Sequence, residues 1–231
     1  MCFPTTAGLW STFILAADPR SPARRDALDR LCRQYWKPVY AFIRASRREA
    51  DADDLAQEFF IEMIEGGLLE RYSADAGKFR SYLCGALRLF LMESGRRSSA
   101  LKRGGGRRFF SIDVAEPADD AGTSPEEAFD RHWVRSLLEL AVADLANELT
   151  NSGREAAFRV FERYELNPPP EGPPSYPKLA AELGIKETDV DNHLRLCRRR
   201  MRELVAMRIR DTVGTEADAG GELAALFPYG P

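Results

Sequence analysis

Apolar residues recur along most of this chain at helical spacing, and no stretch shows sustained alternation with a period of two. The pattern predicts an all-α fold. After a poorly patterned start, Leu28, Leu31, Cys32, Tyr35, Trp36, Val39, Phe42 and Ile43 keep one helical face apolar from about Pro22 onward. Pro38 should kink this helix or begin a second one. A further helix is predicted from about Ala52 to Ile64, with Ala52, Leu55, Ala56, Phe59 and Met63 facing inward and Asp54, Gln57, Glu58, Ile61 and Glu65 facing out. Gly66 and Gly67 end it, and Leu68 to Lys78 read as a short polar connection. Phe79, Tyr82, Leu83, Ala86, Leu87, Phe90 and Leu91 then repeat at i, i+3, i+4, i+7, i+8, i+11 and i+12, one face of another helix. Two later stripes follow: Val134, Leu137, Leu138, Ala141, Leu145 and Leu149, then Ala157, Phe158, Phe161 and Tyr164. From Asn167 to Pro174 the prolines forbid a helix.

Charge changes the picture at the end of the third helix. Net charge is −3 over 231 residues, but its distribution is uneven. Residues 94–108 carry only positive charges, Arg96, Arg97, Lys102, Arg103, Arg107 and Arg108, whereas Asp113, Glu116, Asp119, Asp120, Glu126, Glu127 and Asp130 follow before the next Arg. A local basic patch sets a binding field whatever the overall balance. The cations stand beside a stripe containing Phe79, Tyr82 and Phe90, a combination suited to unstacked bases of a single strand. Those aromatics also sit at core spacing, so the stretch by itself leaves both readings open. The Gly104–Gly106 triplet lacks the strand and the Gly-Lys-Ser/Thr of a phosphate loop; with the acidic, Pro- and Gly-containing run to Pro125 it reads as a hinge and linker.

Other chemistry is sparse. Cys2, Cys32, Cys84 and Cys197 are far apart, and His132 and His193 have no partner at ligand spacing, which predicts free thiols in a reducing compartment, no metal and no cofactor. No nucleophile–base or paired-carboxylate arrangement points to catalysis. The N-terminal run is too short and interrupted to span a bilayer, so the expected location is the cytoplasm.

The sharpest motif is Tyr176 to Leu204, YPKLAAELGIKETDVDNHLRLCRRRMREL. A helix-turn-helix needs a small residue where its helices meet, Gly at the turn and an apolar residue to seat the second helix. Ala180, Gly184 and Val190 stand at those separations, with Leu179, Leu183 and Ile185 around the turn and Thr188 as the expected N-cap. Val190, Leu194, Cys197, Met201 and Leu204 share one face of the second helix. That leaves Asp191, Asn192, Arg195, Arg198 and Arg199 toward a groove.

Taken together, LCRQYWKPVYAFI, DADDLAQEFF and FRSYLCGALRLFLMESGRR followed by the helix-turn-helix resemble a bacterial RNA polymerase sigma factor of the extracytoplasmic-function (ECF) group. The likeness covers roughly residues 20–210. It implies an N-terminal extension (1–19), a sigma domain 2-like bundle (20–108), an acidic linker (109–129), a sigma domain 4-like module (130–210) and a C-terminal tail (211–231). The outer face of the second helix, Asp54, Gln57, Glu58 and Ile61, would dock on the clamp helices of core polymerase, and the flap would be a further contact. Ser73, Asp75, Lys78, Arg80, Arg88, Arg96 and Arg97 would hold the nontemplate strand of the minus-ten element. Thr188, Asp191, Asn192, Arg195, Arg198 and Arg199 would read the minus-thirty-five element. Promoter DNA and an anti-sigma protein complete the implied partners, with no membrane insertion. Asp189 and Asp191 depart from the resemblance, because acids there suit a helix N-terminus but repel phosphate. A regulator acting without polymerase is the alternative, and a DNA-acting enzyme a more distant one. The tail residues Leu223, Leu226 and Phe227 are expected to pack back on a domain.

Overall fold

The computed structural model describes residues 15–47, 52–72, 78–100, 122–210, 219–222 and 224. Every regular element among them is helical: α1 (Arg24–Arg47), α2 (Ala52–Glu65), α3 (Leu68–Arg71), α4 (Phe79–Ala100), α5 (Pro125–Asn151), α6 (Glu155–Phe161) running into a π-helical turn (Glu162–Leu166), α7 (Tyr176–Leu183) and α8 (Glu187–Arg210). The chain divides into two compact units, Met1–Ser136 with Ile209–Pro228 and Leu137–Arg208 with Tyr229–Pro231.

In the first unit α1 packs on α2 and α4, and α2 on α3. The predicted stripe of α1 supplies the core, since Leu31, Tyr35, Trp36, Val39, Phe42 and Ile43 are all buried. Helix α1 passes through Pro38 without a second start. The lost backbone donor is tolerated because the residues on both sides of it are fixed by packing. In α2 the buried set is Ala52, Ala56, Phe59, Phe60 and Met63; Leu55, expected inside, is half-buried, and Phe60 takes its place by stacking on Trp36 at 5.4 Å.

The expected polar connection after Gly67 is partly a helix. Gly67 adopts a left-handed φ of 69° and opens α3, whose Leu69 is buried. Polar groups bind the carbonyls around this corner. Arg71 donates to Gly67 O at 3.0 Å and Gly66 O at 2.8 Å, and the Tyr82 hydroxyl donates to Leu68 O at 2.8 Å. Arg24 crosses to Ile64 O and to Glu70.

Helix α4 buries Phe79, Leu83, Leu87, Phe90 and Leu91. Phe79 sits edge-on to Tyr35 at 5.3 Å and Phe90 edge-on to Phe59 at 5.4 Å. Of the three aromatics considered for base stacking, two are therefore core; Tyr82 alone is half-exposed. Residues 125–129, expected in the linker, are the first turn and a half of α5. Its residues up to Ser136 belong to the first unit. Phe129 and Trp133 explain this: both are fully buried, Phe129 lying 6.4 Å from the rings of Tyr35 and Phe42. The expected linker residues 109–121, the hinge glycines and the basic residues from Lys102 to Arg108 lie outside the described residues.

In the second unit Leu137, Ala141, Leu145 and Leu149 of α5 are buried with Ala157, Val160 and Phe161 of α6. Val160 replaces the half-buried Phe158 of the predicted stripe. The residues from Asn167 to Pro174 form turns, with Gly172 at φ 108° donating to Pro169 O. Burial raises the thiol of Cys32 to about 11, with Asp29 adding to the shift. Burial raises Cys84 to about 12 and Cys197 to about 11.

Two outcomes follow. Phe129→Ala should cost about 3–5 kcal/mol, the usual price of emptying a buried aromatic site, and the urea midpoint of the first unit should fall accordingly. If that midpoint is unchanged, the start of α5 is not part of its core. At pH 8, Cys84 and Cys197 should react with iodoacetamide far more slowly in the folded protein than in denaturant, because the thiolate is the reactive form; equal rates would contradict their burial.

Candidate nucleic-acid and polymerase surfaces

Three surfaces carry the residues singled out by sequence. The first is the outer face of α2. Asp54 and Glu58 are exposed, Gln57 is half-buried, and Ile61 is 51% exposed, unusual for so large an apolar side chain. At i, i+3, i+4 and i+7 the four share one helix face.

The second surface is α4. Lys78, Arg80 and Arg88 each meet a carboxylate from elsewhere in the first unit. Lys78 Nζ lies 3.3 Å from Glu222 Oε1, and the Arg80 guanidinium bridges Glu222 Oε2 at 2.9 Å and Asp130 Oδ1 at 2.8 Å. Arg88 Nε donates to Glu126 Oε1 at 2.7 Å. The Arg80 side chain is only 13% exposed and its guanidinium lies 5.0 Å from the Trp133 ring centroid, a cation–π geometry. Arg80 is thus committed to internal partners rather than standing on an open surface. Burial holds the Asp130 carboxyl above its ordinary range; the Arg80 charge opposes that, and Glu222 and Glu126 reinforce it. Arg96 is exposed, and Ser73, Asp75 and the Arg97 side chain lie outside the described residues. Residues of α2, α3 and α4 frame a groove of about 570 Å³ whose walls include Leu68, Arg71, Tyr82, Ala86 and Leu89. Leu89, in its wall, is 63% exposed, and Met92 of α4 is 56% exposed.

The third surface is α8. Gly184, at φ 67°, closes α7 by donating to Ala180 O, and Leu179, Ala180, Val190 and Leu194 are buried around the turn. Helix α8 starts at Glu187, one residue before the expected cap, so Thr188 lies within the first turn. Asp189 does the capping instead: its carboxylate accepts from Lys186 N–H at 3.3 Å. Thr188, Asn192, Arg195 and Arg199 are exposed, while Asp191 and Arg198 are half-buried. Asp191 pairs with Arg195 one turn on, so neither acid is an uncompensated charge at the helix start. Arg198 Nε donates to Glu165 Oε1 at 2.8 Å and its guanidinium faces Tyr164, whose ring meets Tyr176 at 5.6 Å. The Glu165 hydrogen bond is the largest cause of a raised Arg198 pKa. The π-helical turn that carries Tyr164 and Glu165 therefore orients one of the predicted groove residues.

Sequence reasoning missed Glu126, Asp130 and Glu222. The first two were legible, because Glu126 and Asp130 are four residues apart beside Phe129 and Trp133 at helical spacing. Nothing local marks Glu222, which is 142 residues from Arg80.

Among the described residues no cluster of His, Cys, Asp or Glu could hold a metal ion, and no helix is long and apolar enough to cross a membrane. No curated protein and no solved structure matches the chain. The sequence profile described as ECF sigma factor matches residues 25–206, which includes all three surfaces. Most of the chain falls inside that match, and the protein belongs to the ECF sigma factor family, with a sigma factor's role in transcription initiation.

Proposed function

We propose that the protein binds core RNA polymerase in the cytoplasm through the outer face of α2, directs it to promoters through α8, and helps open the minus-ten element at α4. The observation that carries this reading is α8: a helix seated by a buried apolar face on a tight Gly184 turn, with Thr188, Asn192, Arg195 and Arg199 exposed along the opposite side. That is the arrangement a major-groove reader requires. Asn and Arg are suited to bidentate contacts with adenine and guanine edges.

On α2, Asp54, Gln57, Glu58 and the exposed Ile61 would form the polymerase contact, acids supplying steering and Ile61 the apolar anchor. Alongside α4, the groove walled by Arg71, Tyr82 and Leu89 would take an unstacked base, while Lys78, Arg80, Arg88, Arg96, Arg97, Ser73 and Asp75 would engage its strand. Flipping a base costs on the order of a few kcal/mol, which stacking and hydrogen bonds offset. Opening is captured by binding; the ECF sigma factors are not a family of catalytic enzymes, and no covalent step is invoked. The flap of polymerase and an anti-sigma protein are further proposed partners. The modules proposed for these tasks are residues 20–108 and 130–210, with 109–129 as the connection.

Run-off transcription with core polymerase tests the assignment. Asp54→Ala with Glu58→Ala should weaken core binding and lower transcription from every promoter alike. Arg195→Ala should leave core binding intact and lose roughly 1–3 kcal/mol of discrimination at one upstream base position. Should Arg195→Ala instead scale all promoters equally, α8 is not reading bases; a chain that binds promoter duplex selectively without polymerase would favour the stand-alone regulator.

A further inference from the structure

We infer that Glu222, with Asp130 and Glu126, is an internal stand-in for DNA phosphate: an acidic latch that occupies the cations of α4 in the free protein. The inference rests on the proposed role of Lys78, Arg80 and Arg88 at promoter DNA. Each of these three cations is met by a carboxylate brought from far along the chain, 38 residues away for Arg88 and 50 and 142 for Arg80. The contacts are charge-assisted hydrogen bonds of 2.6–2.9 Å to the two arginines and an ion pair of 3.3 Å to Lys78. Phosphate oxygens make the same bonds with the same donors.

Glu222 is the centre of the device. Its side chain is 1% exposed, and its two oxygens are divided between Lys78 and Arg80. Just before it, Gly220 and Gly221 are exposed and would meet nothing if they carried a Cβ, while Ala219 is buried. Fixing two glycines is entropically unfavourable. The Glu222 carboxylate can be displaced when a polyanion offers Lys78 and Arg80 an equivalent partner. Among the described residues of this segment the contact with the cations is a charge; Leu223, Leu226 and Phe227, expected from the sequence to pack back on a domain, lie outside the described residues. While the latch is closed, apparent affinity for a strand is lowered by the fraction of molecules that are open.

The test uses the full-length protein and a fluorescent single-stranded DNA of mixed sequence at fixed low salt, without and with core polymerase. Glu222→Gln, and separately a chain ending at Asp218, should each bind the DNA about tenfold more tightly than wild type in the free protein, a gain that matches a mostly latched population. The gain should vanish when Lys78→Ala and Arg88→Ala are added. Thermal melts accompany each variant. If Glu222→Gln and the shortened chain bind no more tightly than wild type, whether or not they melt earlier, the segment is structural support for Arg80 and the latch is wrong. If instead Lys78→Ala with Arg88→Ala leaves binding by the Glu222→Gln protein unchanged, the assignment of α4 to DNA fails first and takes the latch with it.

Discussion

A guanidinium held at 13% exposure must be answered by negative charge, and the way Arg80 is answered shapes the first unit. Leaving a charge in a poorly solvated site costs several kcal/mol. Asp130, Glu222 and the Trp133 ring together surround this one. Asp130 and Trp133 belong to α5 and Glu222 to the C-terminal segment, so the requirements of a single α4 side chain draw two distant stretches into one unit. Phe129, buried between Tyr35 and Phe42, adds an apolar reason for the same placement. Hydrophobic burial supplies most of the stability, and the ion pairs fix which acid lies where.

The cations of α8 are held differently. Arg195 pairs with Asp191 along its own helix and is 70% exposed; Arg198 reaches Glu165 on the π-helical turn and is 39% exposed. Exposed pairs of this kind contribute at most about 1 kcal/mol and are screened by salt. An arginine so paired can exchange its carboxylate for a phosphate or a base edge at little cost. Arg80 cannot do so without moving a buried acid. The two basic surfaces thus differ in how readily their cations could exchange partners, which fits the proposed division between a module that reads closed duplex and one that acts only once a strand is offered. Arg200 shows the structural extreme: hydrogen bonds to Glu148 and Glu203 raise its pKa and hold the Glu148 carboxyl low, tying α8 to α5 within the second unit.

The outer face of α2 sets an exposed Ile61 among the acids Asp54 and Glu58. An Ile at 51% exposure between acids gains nothing for the isolated fold, and the family match extends over it. That combination is what makes the face a candidate for a partner rather than a solvated helix side.

Much of this was legible along the chain. Helical periodicity depends only on local spacing, so α1, α2 and α4 could be drawn from Leu31 to Ile43, Ala52 to Met63 and Phe79 to Leu91, and the Ala180–Gly184–Val190 separation marked the helix-turn-helix. Periodicity also says which side of a helix is apolar. It does not say what fills that side. Phe79 and Phe90 could have been a stacking platform until packing against Tyr35 and Phe59 made them core. Thr188 does not cap α8 because the helix starts one residue earlier, at Glu187, which leaves Thr188 and Asp189 in the first turn, where the Asp189 carboxylate accepts from Lys186 N–H. The pairing of Arg80 with Glu222 lay wholly beyond sequence: charge complementarity has no preferred separation along a chain, and only folding brought residues 142 positions apart within 2.9 Å.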